Sequence, residues 1–309
     1  MGRGQRARAA PLDPRLTTEV RSKEGRKNDM TTIALMGAGG KMGLRLAANL
    51  SRTGYTMRYV EISEKGQALL AQRGIAHVLP WQEAVSGADV VILALPDTRI
   101  GEVAHEIAPR LATGTLVMIL DAAAPYAGEL PQRRDLSYFI THPCHPPLFN
   151  DEVTQAAKED FFGGISAKQN IVCALMQGPE EHYALGEAIA RAMYAPVMRS
   201  HRCSLKAMAV LEPALSETVG ATCVAFMREA LDEAVRRGAP PEAARDFMLG
   251  HMQIEIAILF NLFKEGVFSD GAKRAIEKAK AKLFQPDWKR VFDDDELMAS
   301  VKDITHPQA

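Results

Sequence analysis

A short apolar run, Ile33-Ala34-Leu35-Met36, breaks into four glycines within seven positions: Gly37-Ala38-Gly39-Gly40-Lys41-Met42-Gly43. A helical pattern follows, with Gly43, Leu46, Ala47 and Leu50 at spacings of three and four on one face. This order predicts a strand, a tight turn and a helix. Such a turn lets backbone N–H groups approach a pyrophosphate, and the helix N-terminus adds partial positive charge there. Gly37 suits the sharp exit from the strand, Gly39 and Gly40 allow close approach, and Gly43 lets the helix pack against the sheet. The spacing departs from G-x-G-x-x-G, because position 42 is Met and the last glycine falls one later.

A second apolar run, Tyr55–Ile62, carries Glu61 near its end, 22 residues after Gly39. A carboxylate there accepts hydrogen bonds from both hydroxyls of an adenosine ribose and repels a 2′-phosphate. NAD is therefore expected over NADP. The expected cofactor contacts are Gly37, Ala38, Gly39, Gly40, Lys41, Met42, Glu61 and Asp97.

Helices are expected over Lys65–Arg73, Trp81–Val85 and Ile100–Leu111, with a weak strand near Ala76–Leu79. Asp89–Leu95 and Thr115–Leu120 are continuous apolar runs, as strands buried on both faces require. The first ends at Pro96, which stops it, and Asp97 is placed to cap the next helix. The second ends in Asp121-Ala122-Ala123-Ala124-Pro125. Ser137–Thr141 is a further short strand. The alternation implies an α/β fold, a Rossmann-like doubly wound parallel sheet over residues 31–142.

That last strand runs into Thr141-His142-Pro143-Cys144-His145-Pro146-Pro147. Three prolines exclude helix and stiffen the loop. His142 and His145 then stand at a strand's carboxyl end, as candidate metal or substrate ligands or as incidental residues of a domain linker.

Residues 143–309 are expected to form a mostly α-helical substrate and dimerisation domain. It holds a strand at Asn170–Met176, a helix at Glu180–Met193 and a short strand at Pro196–Ser200. A long helix then runs from Ser204 to Gly238, with Pro213 kinking it or removing one hydrogen bond. Lys206, Glu212 and Glu217 lie in its early turns. Glu212 stands among Ala209, Val210, Leu211, Ala214 and Leu215, where an unpaired carboxylate is expensive. The next helix, opened by Pro240-Pro241, places His251 and Glu255 at i, i+4, either as site residues or as a surface pair. Two polar helices, near Ala272–Leu283 and Asp293–Val301, finish the chain. The long apolar helices suggest more buried surface than one subunit needs, so a homodimer is expected.

Composition excludes several classes. Net charge is −1, which gives no electrostatic footing on nucleic acid. No uninterrupted apolar run reaches the roughly 18 residues of a membrane span. Cys144, Cys173, Cys203 and Cys223 form no C-x-x-C pair and read as reduced thiols of a cytoplasmic protein. Residues 1–30 carry eight basic and four acidic side chains without an apolar stretch, so they read as a disordered basic extension, and Met30 as a possible start.

With these positions named, the first half resembles the NAD-binding half of the 6-phosphogluconate and β-hydroxyacid dehydrogenases. Its GAGGKMG turn is also similar to that of dihydrodipicolinate reductases. The helical half, entered through THPCHPP, resembles a phosphogluconate-dehydrogenase-like C-terminal domain. The likeness covers about residues 31–309. Those dehydrogenases place a catalytic Lys near the start of the long helix, an Asn four residues later and an acid seven later. Lys206 sits correctly, but position 210 is Val and Glu212 lies six residues on. A branch of the family that couples oxidation of a branched sugar acid to its isomerisation is the nearer likeness. It implies that His142 and Glu212 hold a divalent metal, with zinc the expected ion, and that Lys206 and His251 are the candidate catalytic residues. The alternatives are a plain NAD-dependent 3-hydroxyacid or sugar-acid dehydrogenase and a non-enzymatic NAD(H) sensor.

Overall fold

The computed structural model describes residues 31–307, so the extension expected over residues 1–30 lies outside the described residues. The chain divides into two compact units, the first ending at Leu205 and the second beginning at Lys206.

The first unit is built on a seven-stranded sheet. Strand β1 (Thr32–Met36) leads through the glycine turn into α1 (Lys41–Leu50). There follow β2 (Thr56–Val60), α2 (Glu64–Gln72), α3 (Trp81–Val85), β3 (Val90–Leu93), α4 (Asp97–Ile107), β4 (Leu116–Ile119) and α5 (Ala123–Tyr126). The unit continues with β5 (Ser137–Pro143), α6 (Gln155–Lys158), β6 (Gln169–Gln177), α7 (Glu180–Met193) and β7 (Val197–Arg202).

The strand order is β2-β1-β3-β4-β5-β6-β7. All neighbours run parallel except β5 and β6, where Thr141 faces Cys173 and His142 faces Val172. Alternation along the central strands explains the two layers of core. Ile33, Leu35, Val90, Ile92, Leu116, Met118 and Phe139 point to one face, against Leu46, Ala47 and Leu50 of α1. Ala34, Met36, Val91, Leu93, Val117, Ile119 and Tyr138 point to the other, against Ile100, Ala104 and Ile107 of α4. A sheet buried on both faces needs apolar residues at every strand position, and these strands supply them.

Three expectations shift. Residues 76–79 form no strand; Leu79 N donates to Tyr59 O at 2.8 Å, one bond beside β2 instead of a ladder. The sheet also does not stop at residue 142. Residues expected in the second domain contribute β6 and β7, so the first unit reaches Leu205. The stiff histidine loop begins later than its prolines suggest, since Thr141, His142 and Pro143 belong to β5.

The second unit is helical. It opens with α8 (Leu205–Ala209), which passes into a π-helical stretch, Val210–Ala221, and then α9 (Thr222–Arg236). Pro213 lacks an N–H and its ring crowds the carbonyl four residues back. Here it lies within a twelve-residue π-helical stretch. The continuous helix Leu205–Arg236 is 32 residues long with a window of mean hydropathy 1.2. By length and composition it could cross a bilayer, although charged side chains interrupt its apolar run. Helices α10 (Pro241–Leu259), α11 (Asp270–Leu283) and α12 (Asp294–Thr305) complete the unit.

Candidate cofactor and metal site

The order β2-β1-β3 places a topological switch between β1 and β3, where ligands bind beyond the carboxyl ends of such strands. A cavity of about 580 Å³ lies there. It is lined by Gly37, Gly39 and Gly40 after β1, by Val60, Glu61, Ile62 and Ser63 after β2, and by Ala94, Leu95 and Pro96 after β3.

Three glycines of the turn are sterically required: a Cβ on Gly39 would sit 2.5 Å from Gly66 Cα. Gly37 has φ of 73°, and a Cβ there would sit 2.4 Å from Ala94 O. A Cβ on Gly43 would sit 2.0 Å from Gly37 O. Gly43 thus packs the helix onto the turn itself, rather than onto the sheet as expected.

Glu61 is fastened before any ligand arrives. Its Oε2 accepts from Gly39 N at 2.8 Å, and Oε1 accepts from Ser63 N and Ser63 Oγ, each at 2.8 Å. Ser63 in turn caps α2, its Oγ accepting from Gly66 N at 3.1 Å. The side chain packs so tightly on Gly66 that a Cβ there would meet Glu61 Cδ at 2.6 Å. Sequence reading found Glu61 but missed Ser63 and Gly66, whose signal is a capping serine followed three residues on by glycine.

The other expected cofactor residues are placed as follows. Ala38 is fully buried, and its N–H donates to Val60 O at 3.0 Å. Met42 packs against the core of the α1 face. The Lys41 ammonium lies 3.6 Å from the Phe162 ring centroid, a cation–π contact. Asp97 is not the cap of α4. Pro96 holds that position, and Asp97 is the acidic residue of the first turn, where its charge favours the helix dipole.

His142 sits in β5, and its Nδ1 bonds Pro143 O at 2.8 Å. Its Nε2 lies 3.9 Å from Asp121 Oδ2. Asp121 follows β4, the neighbour of β5, and its Oδ1 accepts from Ala123 N at 2.7 Å. Burial pushes the His142 imidazole below its ordinary pKa, against the opposing pull of Asp121. The His145 ring meets it edge-on at 5.9 Å, with φ of 58° and Nδ1 on Phe162 O at 3.0 Å. Asp121 was not among the expected ligands, although it stands at a strand's carboxyl end, where site residues gather.

In the second unit, Lys206 Nζ pairs with Asp294 Oδ1 at 2.6 Å on an exposed face. Glu212 lies on the π-helical stretch, one residue before Pro213. His251 stacks on Phe247 with centroids 3.9 Å apart, its Nδ1 on Phe247 O at 2.8 Å. His251 and Glu255 line one shallow cavity with Leu231 and Met248.

Comparison with known proteins agrees with this geometry. Residues 32–127 match the NAD binding domain of 6-phosphogluconate dehydrogenase, and residues 150–305 match the phosphogluconate dehydrogenase (decarboxylating) C-terminal domain. A protein of Rhizobium rhizogenes named D-apionate oxidoisomerase is 56% identical over 276 residues, 89% of this chain and 100% of that one. One of the same name from Cupriavidus necator is 55% identical over 88% of this chain and 99% of that one. The chain belongs to the D-apionate oxidoisomerase family. A crystal structure from Cupriavidus necator, of a semialdehyde dehydrogenase NAD-binding protein in complex with calcium and NAD, resembles the chain with a TM-score of 0.87. It is 54% identical and covers 89% of this chain and 99% of that one. The matched NAD-binding domain thus covers β1 to β4, whose ends after β1, β2 and β3 line the Glu61 cavity.

Proposed function

We propose that this chain is an NAD-dependent oxidoisomerase that converts D-apionate to 3-oxo-isoapionate. The observation that carries the cofactor half is Glu61, fixed at the rim of the cavity with its carboxylate available to the ribose hydroxyls and hostile to a 2′-phosphate. The substrate half rests on relatives more than 50% identical over nearly their whole length.

The reaction has two steps. A hydride leaves C2 of the substrate for NAD⁺, and the C2 hydroxyl loses its proton, giving a 2-keto acid and NADH. The hydroxymethyl group then migrates from C3 to C2 with its bonding electrons. The C3 hydroxyl loses its proton and becomes the ketone, while the former C2 carbonyl becomes a hydroxyl.

His142 and Glu212 are the side chains proposed to hold a divalent ion, with zinc the expected metal. A divalent ion, when bound, supplies the Lewis acidity that a ketol shift between neighbouring oxygens requires. His142 fits that role in its own unit: with Nδ1 on a carbonyl, Nε2 keeps the free lone pair of a neutral imidazole. Zinc accepts such a nitrogen readily. Lys206 and His251 are the candidates for moving the proton of the tertiary hydroxyl. The proposal places the chain in the cytoplasm, consistent with four free cysteines. It makes the chain a homodimer through the second unit, whose helices α9 and α11 bury no residue.

The test is incubation of the purified chain with D-apionate and NAD⁺, reading NADH by absorbance and the product by NMR. The proposal expects NADH and the migrated 3-oxo acid in equal amounts. NADH with an unrearranged product would mean a plain dehydrogenase, and cofactor binding without turnover would mean a sensor. Glu61→Ala is expected to weaken NAD⁺ about tenfold, the loss of about 1.4 kcal/mol, and to narrow the preference over NADP⁺.

A further inference from the structure

The pairing of Asp121 with His142 is not explained by hydrogen bonding. Pro143 O is a carbonyl and only accepts, so the 2.8 Å contact assigns the imidazole proton to Nδ1. In the neutral ring, the form that binds a metal, that leaves Nε2 as a lone-pair acceptor. Facing it at 3.9 Å is Asp121 Oδ2, also an acceptor. The distance is too long for a hydrogen bond, and the tautomer could not donate one. Neither Nε2 nor Oδ2 makes a hydrogen bond among the described residues.

Both groups are held in this orientation. Asp121 is turned by Ala123 N, which occupies Oδ1 at 2.7 Å and leaves Oδ2 facing the histidine. His142 is fixed in β5, where its neighbour Thr141 is fully buried and Pro143 is paired with Ile171. The two side chains are only 15% and 25% exposed, so water screens their mutual repulsion poorly. Two electron-pair donors held face to face in partial burial offer a ready-made seat for a positive charge between them. One zinc ion about 2.0–2.2 Å from each donor can bridge two atoms separated by this distance.

We propose that Asp121 is a metal ligand, so that the NAD-binding unit alone presents a two-donor site for a divalent cation, Asp121 Oδ2 with His142 Nε2. This rests on the metal reading given above and adds a carboxylate to it. The anionic ligand has a chemical consequence: it lowers the net charge of the bound centre, trading some Lewis acidity for retention of the ion. It also places the metal at the carboxyl ends of β4 and β5, two strands adjacent in the sheet, so their register sets the ligand spacing.

The test uses the full chain, stripped with a chelator and titrated with Zn²⁺ against a chromogenic competitor. Co²⁺ absorption spectra report the coordination shell, and Trp81 fluorescence on adding NAD⁺ serves as the folding control, because Trp81 lines the cofactor cavity. Asp121→Asn, nearly isosteric, is expected to weaken Zn²⁺ at least tenfold and to alter the Co²⁺ spectrum, while Asp121→Glu recovers part of the affinity. His142→Ala should lose at least as much. If Asp121→Asn binds Zn²⁺ as tightly as the unmutated chain while His142→Ala does not, the metal reading stands and the role of Asp121 is refuted. If the unmutated chain binds no divalent ion, both fail together. Should Asp121→Asn not fold, Asp121→Glu keeps the charge and answers by its Co²⁺ spectrum: an unchanged spectrum overturns the assignment.

Discussion

The two units of this chain use apolar residues in opposite ways. In the first, Ile33, Leu35, Ile92 and Leu116 are fully buried, and the sheet is covered on both faces by its own helices. In the second, Val224, Phe247, Leu259 and Phe260 are 58%, 68%, 63% and 71% exposed. The first unit exposes large apolar side chains only outside its central strands, as at Ile62, Val153 and Phe161; the second exposes them along its long helices. Exposed apolar side chains of that kind are what the proposed homodimer would cover. The division teaches that cofactor binding belongs to a self-sufficient scaffold, whereas the helical unit is shaped for company.

Three substitutions probe that contrast. Ile92→Ala removes a fully buried side chain between the layers and should cost about 2–5 kcal/mol, seen as a lower denaturation midpoint. A much smaller loss would mean that the sheet core is looser than its burial implies. Asn49→Ala comes next. Its Nδ2 donates to Gly164 O, Met193 O and Ala195 O at 2.9, 3.0 and 3.2 Å, tying α1 to the loop before β6 and to the end of α7. Leaving those carbonyls unpaired should cost about 1–3 kcal/mol in urea melts, and NAD⁺ affinity should fall with it. The smallest effect on intrinsic stability is expected for Ile254→Asp on α10, at 44% exposure. A surface change of this sort costs within about 0.5 kcal/mol. Its signature is instead mass: if the proposed homodimer forms through this unit, sedimentation velocity reports a dimer for the unmutated chain and a monomer for the variant. An Ile254→Asp variant of unchanged mass would erase the distinction between the units.

Much of the first unit was legible because its physics is local. Asp89–Leu95 reads as a strand since burial on both faces leaves no polar alternation, and Gly37 reads as a turn since few other residues tolerate its backbone. The strand β7 was read as a strand, but its sheet was not. Its burial is partial at best, as befits an edge, and nothing in Val197–Arg202 says that its partner is β6. The register that brings Asp121 beside His142 is set by β4 pairing with β5, a long-range fact that spacing along the chain does not carry. Pro213 announced a disturbed helix, but the twelve-residue length of the π-helical stretch around it depends on the packing of neighbouring turns.

Glu61 shows how a single carboxylate can hold two offices. In the proposed function it addresses the ribose, and in the structure it fastens Gly39 to Ser63 through the loop ahead of α2. Altering cofactor choice here is therefore a two-locus problem. A basic residue at position 61 would welcome a 2′-phosphate but would release both amides. A lineage drifting toward the phosphorylated cofactor would first have to acquire a substitute fastener, so the starting preference is protected by architecture as well as by charge.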